Sequence, residues 1–270
     1  MSRDRVEARF GAMGREARVV VLSGAPRLDE RARHLIEVLE RKWSRFRSGS
    51  EISRLNATTG RAVVVSPETF GLVERAVAAW RVTGGRYDPS VAANVTPGTA
   101  PGIAPSPGCS RLELDARLRS VRVPAGVHLD LGAIGCGFAT DLAAADLLHG
   151  GATGALVSIG KDVRVGGEPP RAEGWFVDIE DPHQPGSLGR LRLREGAIAT
   201  AAGPSGAAAN GVASVTVVAG EAWWAQVVAR AAAVSGPDGA LGVFAEHRVT
   251  GVVVLSDGTV LEAPGLSAFF

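Results

Sequence analysis

Residues 175–179, 188–193, 197–200 and 212–218 are four runs of strand-forming residues that follow one another with no amphipathic helical stretch between them. Such a series folds back on itself as neighbouring antiparallel strands, whereas a doubly wound parallel sheet requires a helix in each crossover. Helical patterns do occur elsewhere, but they are interspersed with the strands without a regular alternation. The expected class is therefore α+β, with mixed or antiparallel sheets and packed helices.

The helices are set by apolar spacing and by stop signals. Leu28, Ala32, Leu35, Ile36, Leu39 and Trp43 recur at three and four residues, predicting a helix over about 26–46 with one buried face. A second helix is expected from Pro67 to about Thr83, where Gly84-Gly85 ends it. Residues 139–148 and 221–234 read as helices, and a short helix ends near Glu246. Strands are expected at 16–22 and 155–159, a strand pair over 112–129 leads into Asp130, and a hairpin over 249–261 turns around Ser256-Asp257-Gly258. Residues 96–110 concentrate Pro and Gly so heavily that an exposed loop is expected there, inserted in a single domain over 1–270.

Composition narrows the function classes. Basic and acidic residues nearly cancel, 29 against 28, so no global field favours nucleic acid or an anionic membrane. No stretch reaches the roughly 20 apolar residues of a spanning helix, and the charged first residues lack the apolar core of a secretory signal, which makes a cytoplasmic protein the expectation. Two cysteines, Cys109 and Cys136, form neither a disulfide framework nor a metal cluster.

The run from Val127 to Asp141 carries the most chemistry. A strand delivers Asp130 to a stretch in which Gly132, Gly135 and Gly137 would let backbone N–H groups approach a ligand, and a helix follows with its positive end nearby. That arrangement suits a phosphate, and it equally suits a strand-to-helix turn whose glycines serve packing. The third glycine of a dinucleotide fingerprint and the Walker pattern are both absent.

This segment resembles the D-L-G-x-I-x-K-G-x-x-x-D signature of the FAD:protein FMN transferases, the ApbE-like family, and other pieces agree in order. Met13-Gly14 resembles an early Met-Gly-Thr. Ser44 to Arg47 with Ser50 to Asn56 is similar to the family's S-x-[YF]…S-x-[IL]-S-x-[LI]-N stretch, and Gly85-Arg86-Tyr87-Asp88-Pro89-Ser90-Val91 to G-x-[FY]-D-P-[ST]-V. Ser158 to Asp162 resembles N-x-G-G-D, and Ala199-Thr200 the start of A-T-S-G. The resemblance implies an α+β flavin transferase fold, FAD as cofactor and substrate, Mg²⁺ as the family's metal, and an acceptor flavoprotein that receives FMN on a Thr or Ser. By motif position, Met13, Phe46, Arg86, Tyr87, Asp88, Asp130 and Cys136 would face FAD, and the backbone oxygen of Ala133 would help hold the metal.

The departures from the family pattern fall on its reactive groups. Where its last helix carries A-D-x-x-x-T, this chain has Ala225-Gln226-Val227-Val228-Ala229-Arg230, so the Asp is replaced by a neutral amide oxygen and the Thr by a guanidinium without a lone pair. Cys136 stands at the Lys of the signature. Between Thr200 and Ser214 the family's H-I-x-D-P motif has no counterpart, and His183 belongs to an earlier block where a loop role is expected. No catalytic residue is therefore assigned. Arg230 is expected either on a solvated helix face or where Mg²⁺ would sit, neutralising the FAD pyrophosphate. Three readings stay open: a degenerate FAD-binding member, an active divergent transferase that recruits Asp141 or Asp162, and a structural or partner protein without flavin.

Overall fold

The computed structural model describes residues 5–92, 108–206 and 209–270. In chain order its elements are β1 (Arg5–Ala12), β2 (Arg15–Leu22), α1 (Leu28–Trp43), α2 (Glu51–Ala57), β3 (Ala62–Val64) and α3 (Pro67–Val82). Then come β4 (Ser90–Ala92), β5 (Glu113–Asp115), β6 (Ser120–Arg122), β7 (Val127–Leu129), α4 (Gly132–His149), β8 (Gly154–Ile159) and β9 (Asp162–Gly167). The chain finishes with β10 (Trp175–Glu180), β11 (Ser187–Leu193), β12 (Gly196–Ala202), β13 (Val212–Ala219), α5 (Ala222–Val234), α6 (Gly236–His247), β14 (Thr250–Leu255) and β15 (Val260–Glu262). It divides into two compact units, Met1–Glu37 with Cys136–Phe270, and Val38–Gly135.

The larger unit is built on an eight-stranded sheet in the order β1-β2-β8-β9-β12-β13-β14-β15, every adjacent pair antiparallel. Because side chains alternate along a strand, each face has its own core. On one face Ala199, Ala201, Val215 and Val217 pack with Ala225, Val228, Ala229 and Ala232 of α5 and with Val243 and Phe244 of α6. On the other, Val20, Leu22, Leu156, Ile198 and Val218 pack with Trp175, Ile179, Leu191 and Leu193 of the separate β10–β11 hairpin. Small residues on α5 let that helix lie close to the sheet.

In the smaller unit, α3 starts at Pro67 with Ser66 as N-cap and ends at Thr83 before Gly84 and Gly85, both at positive φ. β3, β6 and β5 form a three-stranded sheet, and β4 pairs with β7. The strand pair expected over 112–129 is thus β5 with β6 alone: β7 pairs instead with the strand after Asp88-Pro89, Ser90 facing Leu129. The loop expected at 96–110 lies outside the described residues up to 107, and Cys109–Arg111 forms a 3-10 turn.

Two further differences concern helices and edges. The helix expected from residue 139 begins at Gly132, so the glycine-rich stretch is the first turns of α4. β1 and the seven-residue α2 were not expected: in β1 the Arg and Glu residues that alternate with Val6, Ala8 and Phe10 mask the strand signal, while α2 is too short to show a helical period.

Candidate functional site

In the smaller unit, Asp130 follows β7 directly. Asn56, at the end of α2, holds this strand by a reciprocal pair: its Nδ2 donates to the Leu129 carbonyl at 3.0 Å, and its Oδ1 accepts from the Leu129 amide at 2.7 Å. The Asp130 amide donates to the Pro89 carbonyl at 2.8 Å, which ties the Arg86-Tyr87-Asp88 approach to the same place. Asp130 Oδ2 accepts from Arg45 Nη1 at 2.5 Å, and its Oδ1 from the Gly132 amide at 3.2 Å. The Arg45 guanidinium lies 4.8 Å from the centre of the Phe46 ring, which is 76% exposed. An aromatic face that open, backed by a cation and next to an ion-paired carboxylate, is a platform for a flat ring system.

Arg86 is exposed and Tyr87 is buried. Asp88 has a local role: its Oδ1 accepts from the Ser90 amide at 2.8 Å and from the Ser90 hydroxyl at 2.6 Å, fixing the entry to β4. Ala133 lies in the first turn of α4, where its carbonyl points along the helix ladder.

In the larger unit, Met13 occupies the two-residue turn between β1 and β2 with φ 52°, beside Gly14 at φ 72°. Cys136 is 3% exposed, and burial pushes its thiol up to about 11, with the nearby Asp162 adding to the shift. Asp162, 4% exposed at the start of β9, is the most perturbed acid described. Burial raises its carboxyl to about 8 against the opposing pull of Arg15 and Arg230, with Asp141 adding to the rise. Arg230 therefore lies near enough to two buried acidic groups to act on both, although its residue is exposed.

Asp141 is committed elsewhere. Its two oxygens accept from the Ala222 and Trp223 amides at 2.8 and 2.9 Å, capping the N-terminus of α5, and Arg164 Nε stands 3.8 Å away. Burial raises its carboxyl to about 6 despite these bonds. Gly137 serves the same junction: a Cβ there would lie 2.7 Å from Trp223 Cα and 2.8 Å from the Ala222 carbonyl. Of the two roles open for the glycine-rich stretch, Gly137 thus has the packing one. Gln226, 4% exposed, keeps an Oε1 that meets no hydrogen-bond partner among the described residues.

The described residues do not fit a magnesium ion. Among the described residues no three or more His, Cys, Asp or Glu side chains form a group that could hold a metal. Asp141 is occupied by α5, Asp162 is driven toward its neutral form, and Gln226 offers one neutral oxygen where a hard cation needs several, mostly charged. His183 is a loop residue, with ring Nε2 2.8 Å from the Leu255 carbonyl. Arg45, Asn56 and Arg15 were not singled out from the sequence. Arg45 and Asn56 lie inside the quoted motif, next to residues whose types looked more chemical, and Arg15 follows Met13-Gly14.

A sheet of eight antiparallel strands with a helical pair on one face and a β-hairpin on the other defines this as a protein of the ApbE flavin-transferase fold. It is similar to the ApbE protein of Thermotoga maritima (TM-score 0.85, 24% identity, covering 98% of this chain and 99% of that one). The flavin transferase ApbE of Vibrio cholerae is alike (0.84, 20%, covering 99% and 100%), as is the flavinyl transferase ApbE of Pseudomonas stutzeri in its apo form (0.85, 18%, covering 100% and 99%). The chain belongs to the ApbE family, whose model matches residues 13–205. It is also 27% identical over 164 residues to an FAD:protein FMN transferase of Vibrio cholerae, a match that takes in 55% of this chain and 49% of that relative. The alignment thus spans about half the length of the curated relative. No helix among the described residues is long and apolar enough to cross a membrane.

Proposed function

We propose that this chain, working as one ApbE-like domain over residues 1–270, binds FAD without a divalent metal and does not transfer FMN. The observation that carries this reading is the pair on α5: a buried Gln226 with an unmet oxygen, and an Arg230 acting on Asp162, at the two positions where the family resemblance expects metal ligands. A guanidinium there supplies the positive charge that pyrophosphate needs and forms paired hydrogen bonds to it, while leaving the phosphoanhydride intact. The exposed Phe46 ring fits a flat ring system, and Asp130, fixed by Arg45 and Asn56, offers a fixed acceptor beside it. FAD, when bound, brings the isoalloxazine and the pyrophosphate.

No base is assigned. The connection between β12 and β13, residues 203–211, contains no histidine, and the Cys136 thiol stays protonated near neutral pH. A cytoplasmic location and a flavoprotein partner, bound without receiving FMN, belong to the same proposal, the latter resting on the name of the curated relative. Calorimetric titration with FAD in EDTA tests the reading. Binding in EDTA that Arg230→Ala weakens at least about tenfold is expected. Binding that appears only after Mg²⁺ is added overturns it.

A further inference from the structure

On the sheet face opposite α5, the larger unit carries a groove of about 790 Å³. Its floor is the apolar sheet surface at Val20, Leu22 and Leu156, and its wall is Trp175 and Phe176 of β10. Four arginines line it, Arg5, Arg18, Arg171 and Arg194, against the single carboxylate of Glu168. Arg5 and Arg18 share Glu7, at 2.5 and 2.9 Å, so their charge is largely answered from within the chain. Among the described residues, Arg171 and Arg194 have no carboxylate partner: the first lies 5.9 Å from the centre of the Phe176 ring, and the second donates to the Ala172 carbonyl at 3.0 Å. The indole N–H of Trp175, a wall residue, is buried and meets no acceptor among the described residues.

We propose that this groove is a second ligand site, for an aromatic anion carrying one phosphate, sulfonate or carboxylate group. Two unanswered guanidiniums select the anion, since a charge-assisted, bidentate contact is what a planar guanidinium gives best. The half-exposed Phe176 ring, already faced by Arg171, and the apolar floor select a flat hydrophobic body. The volume suits a ligand of ordinary metabolite size. The site is independent of the FAD reading, because none of its residues lies on α5 or among those assigned a contact with FAD.

The probe is 8-anilinonaphthalene-1-sulfonate, followed by its fluorescence, with phenyl phosphate, inorganic phosphate and octanoate as competitors. One saturable site is expected, displaced by phenyl phosphate at far lower concentration than by inorganic phosphate or octanoate. The double variant R171A/R194A should lose at least about tenfold in probe affinity, and Arg190→Ala, whose guanidinium pairs with Asp178 outside the groove, should lose nothing. Hydrogen exchange should slow over residues 168–176 when phenyl phosphate binds. Unchanged probe affinity in R171A/R194A, or protection elsewhere only, overturns the site, and displacement by octanoate at phenyl phosphate concentrations overturns its aromatic preference. FAD titration of R171A/R194A should match the wild type, which separates this result from failure of the FAD reading.

Discussion

Replacing Asp162 by Asn should change how the stability of this protein depends on pH. In the folded chain burial raises the Asp162 carboxyl from 3.8 to about 8, so between those values the native state holds a proton that the unfolded state has released. The unfolded state then binds one proton fewer, and the slope of unfolding free energy against pH is negative, about 1.4 kcal/mol lost per unit. Asp141, raised to about 6, acts in the same direction at lower pH, so the window from pH 6 to 8 isolates Asp162. Over those two units the wild type should lose about 2 kcal/mol relative to Asp162→Asn, the slope easing as the native carboxyl itself ionises near pH 8. Asn does not titrate, so the variant should already be ahead at pH 6, by about 3 kcal/mol accumulated above pH 3.8, and further ahead by pH 8. Urea unfolding at pH 6, 7 and 8 measures this. Parallel curves for the two proteins would refute the claim that a buried, protonated carboxyl faces Arg15 and Arg230.

The junction between α4 and α5 gives a paired prediction. Gly137→Ala should destabilise by about 1–3 kcal/mol, because the new methyl meets backbone at 2.7 Å, while Gly135→Ala, whose methyl would meet nothing nearer than 3.7 Å, should be neutral or slightly stabilising. Thermal melts of both variants distinguish them, and equal losses would contradict the packing role of Gly137. Asp141→Ala should cost about 1–2 kcal/mol by uncapping α5, read by the same melts. Burial raises Cys136 to about 11 and Cys109 to about 12, so iodoacetamide at pH 8 should leave native protein unmodified by intact mass while labelling both thiols in urea.

What the sequence shows of this molecule is what period and punctuation encode. Pro67 and Gly84-Gly85 bracket α3 as expected, and the strand runs from 175 to 218 do become β10 to β13. The pairing of β7 with β4 rather than with β5 and β6 is non-local, set by the Asp88–Ser90 turn and by Asn56, and no window of neighbouring residues contains it. The start of α4 was misplaced because glycines normally weaken helices, whereas Gly137 is required where α5 approaches. Motif positions named Asp130, Phe46, Cys136 and Arg230 as candidates. Whether a carboxylate is free could not be read that way: Asp141 is bound by two amides, and Asp162 is shifted by burial that arises only when β9 joins the sheet.

Intact-mass analysis after incubating this protein with FAD, Mg²⁺ and a candidate acceptor flavoprotein confronts the account most directly. An acceptor whose mass is unchanged, while FAD is held by the protein equally well in EDTA and in Mg²⁺, is the predicted result. An acceptor heavier by one FMN, formed only when Mg²⁺ is present, would contradict it.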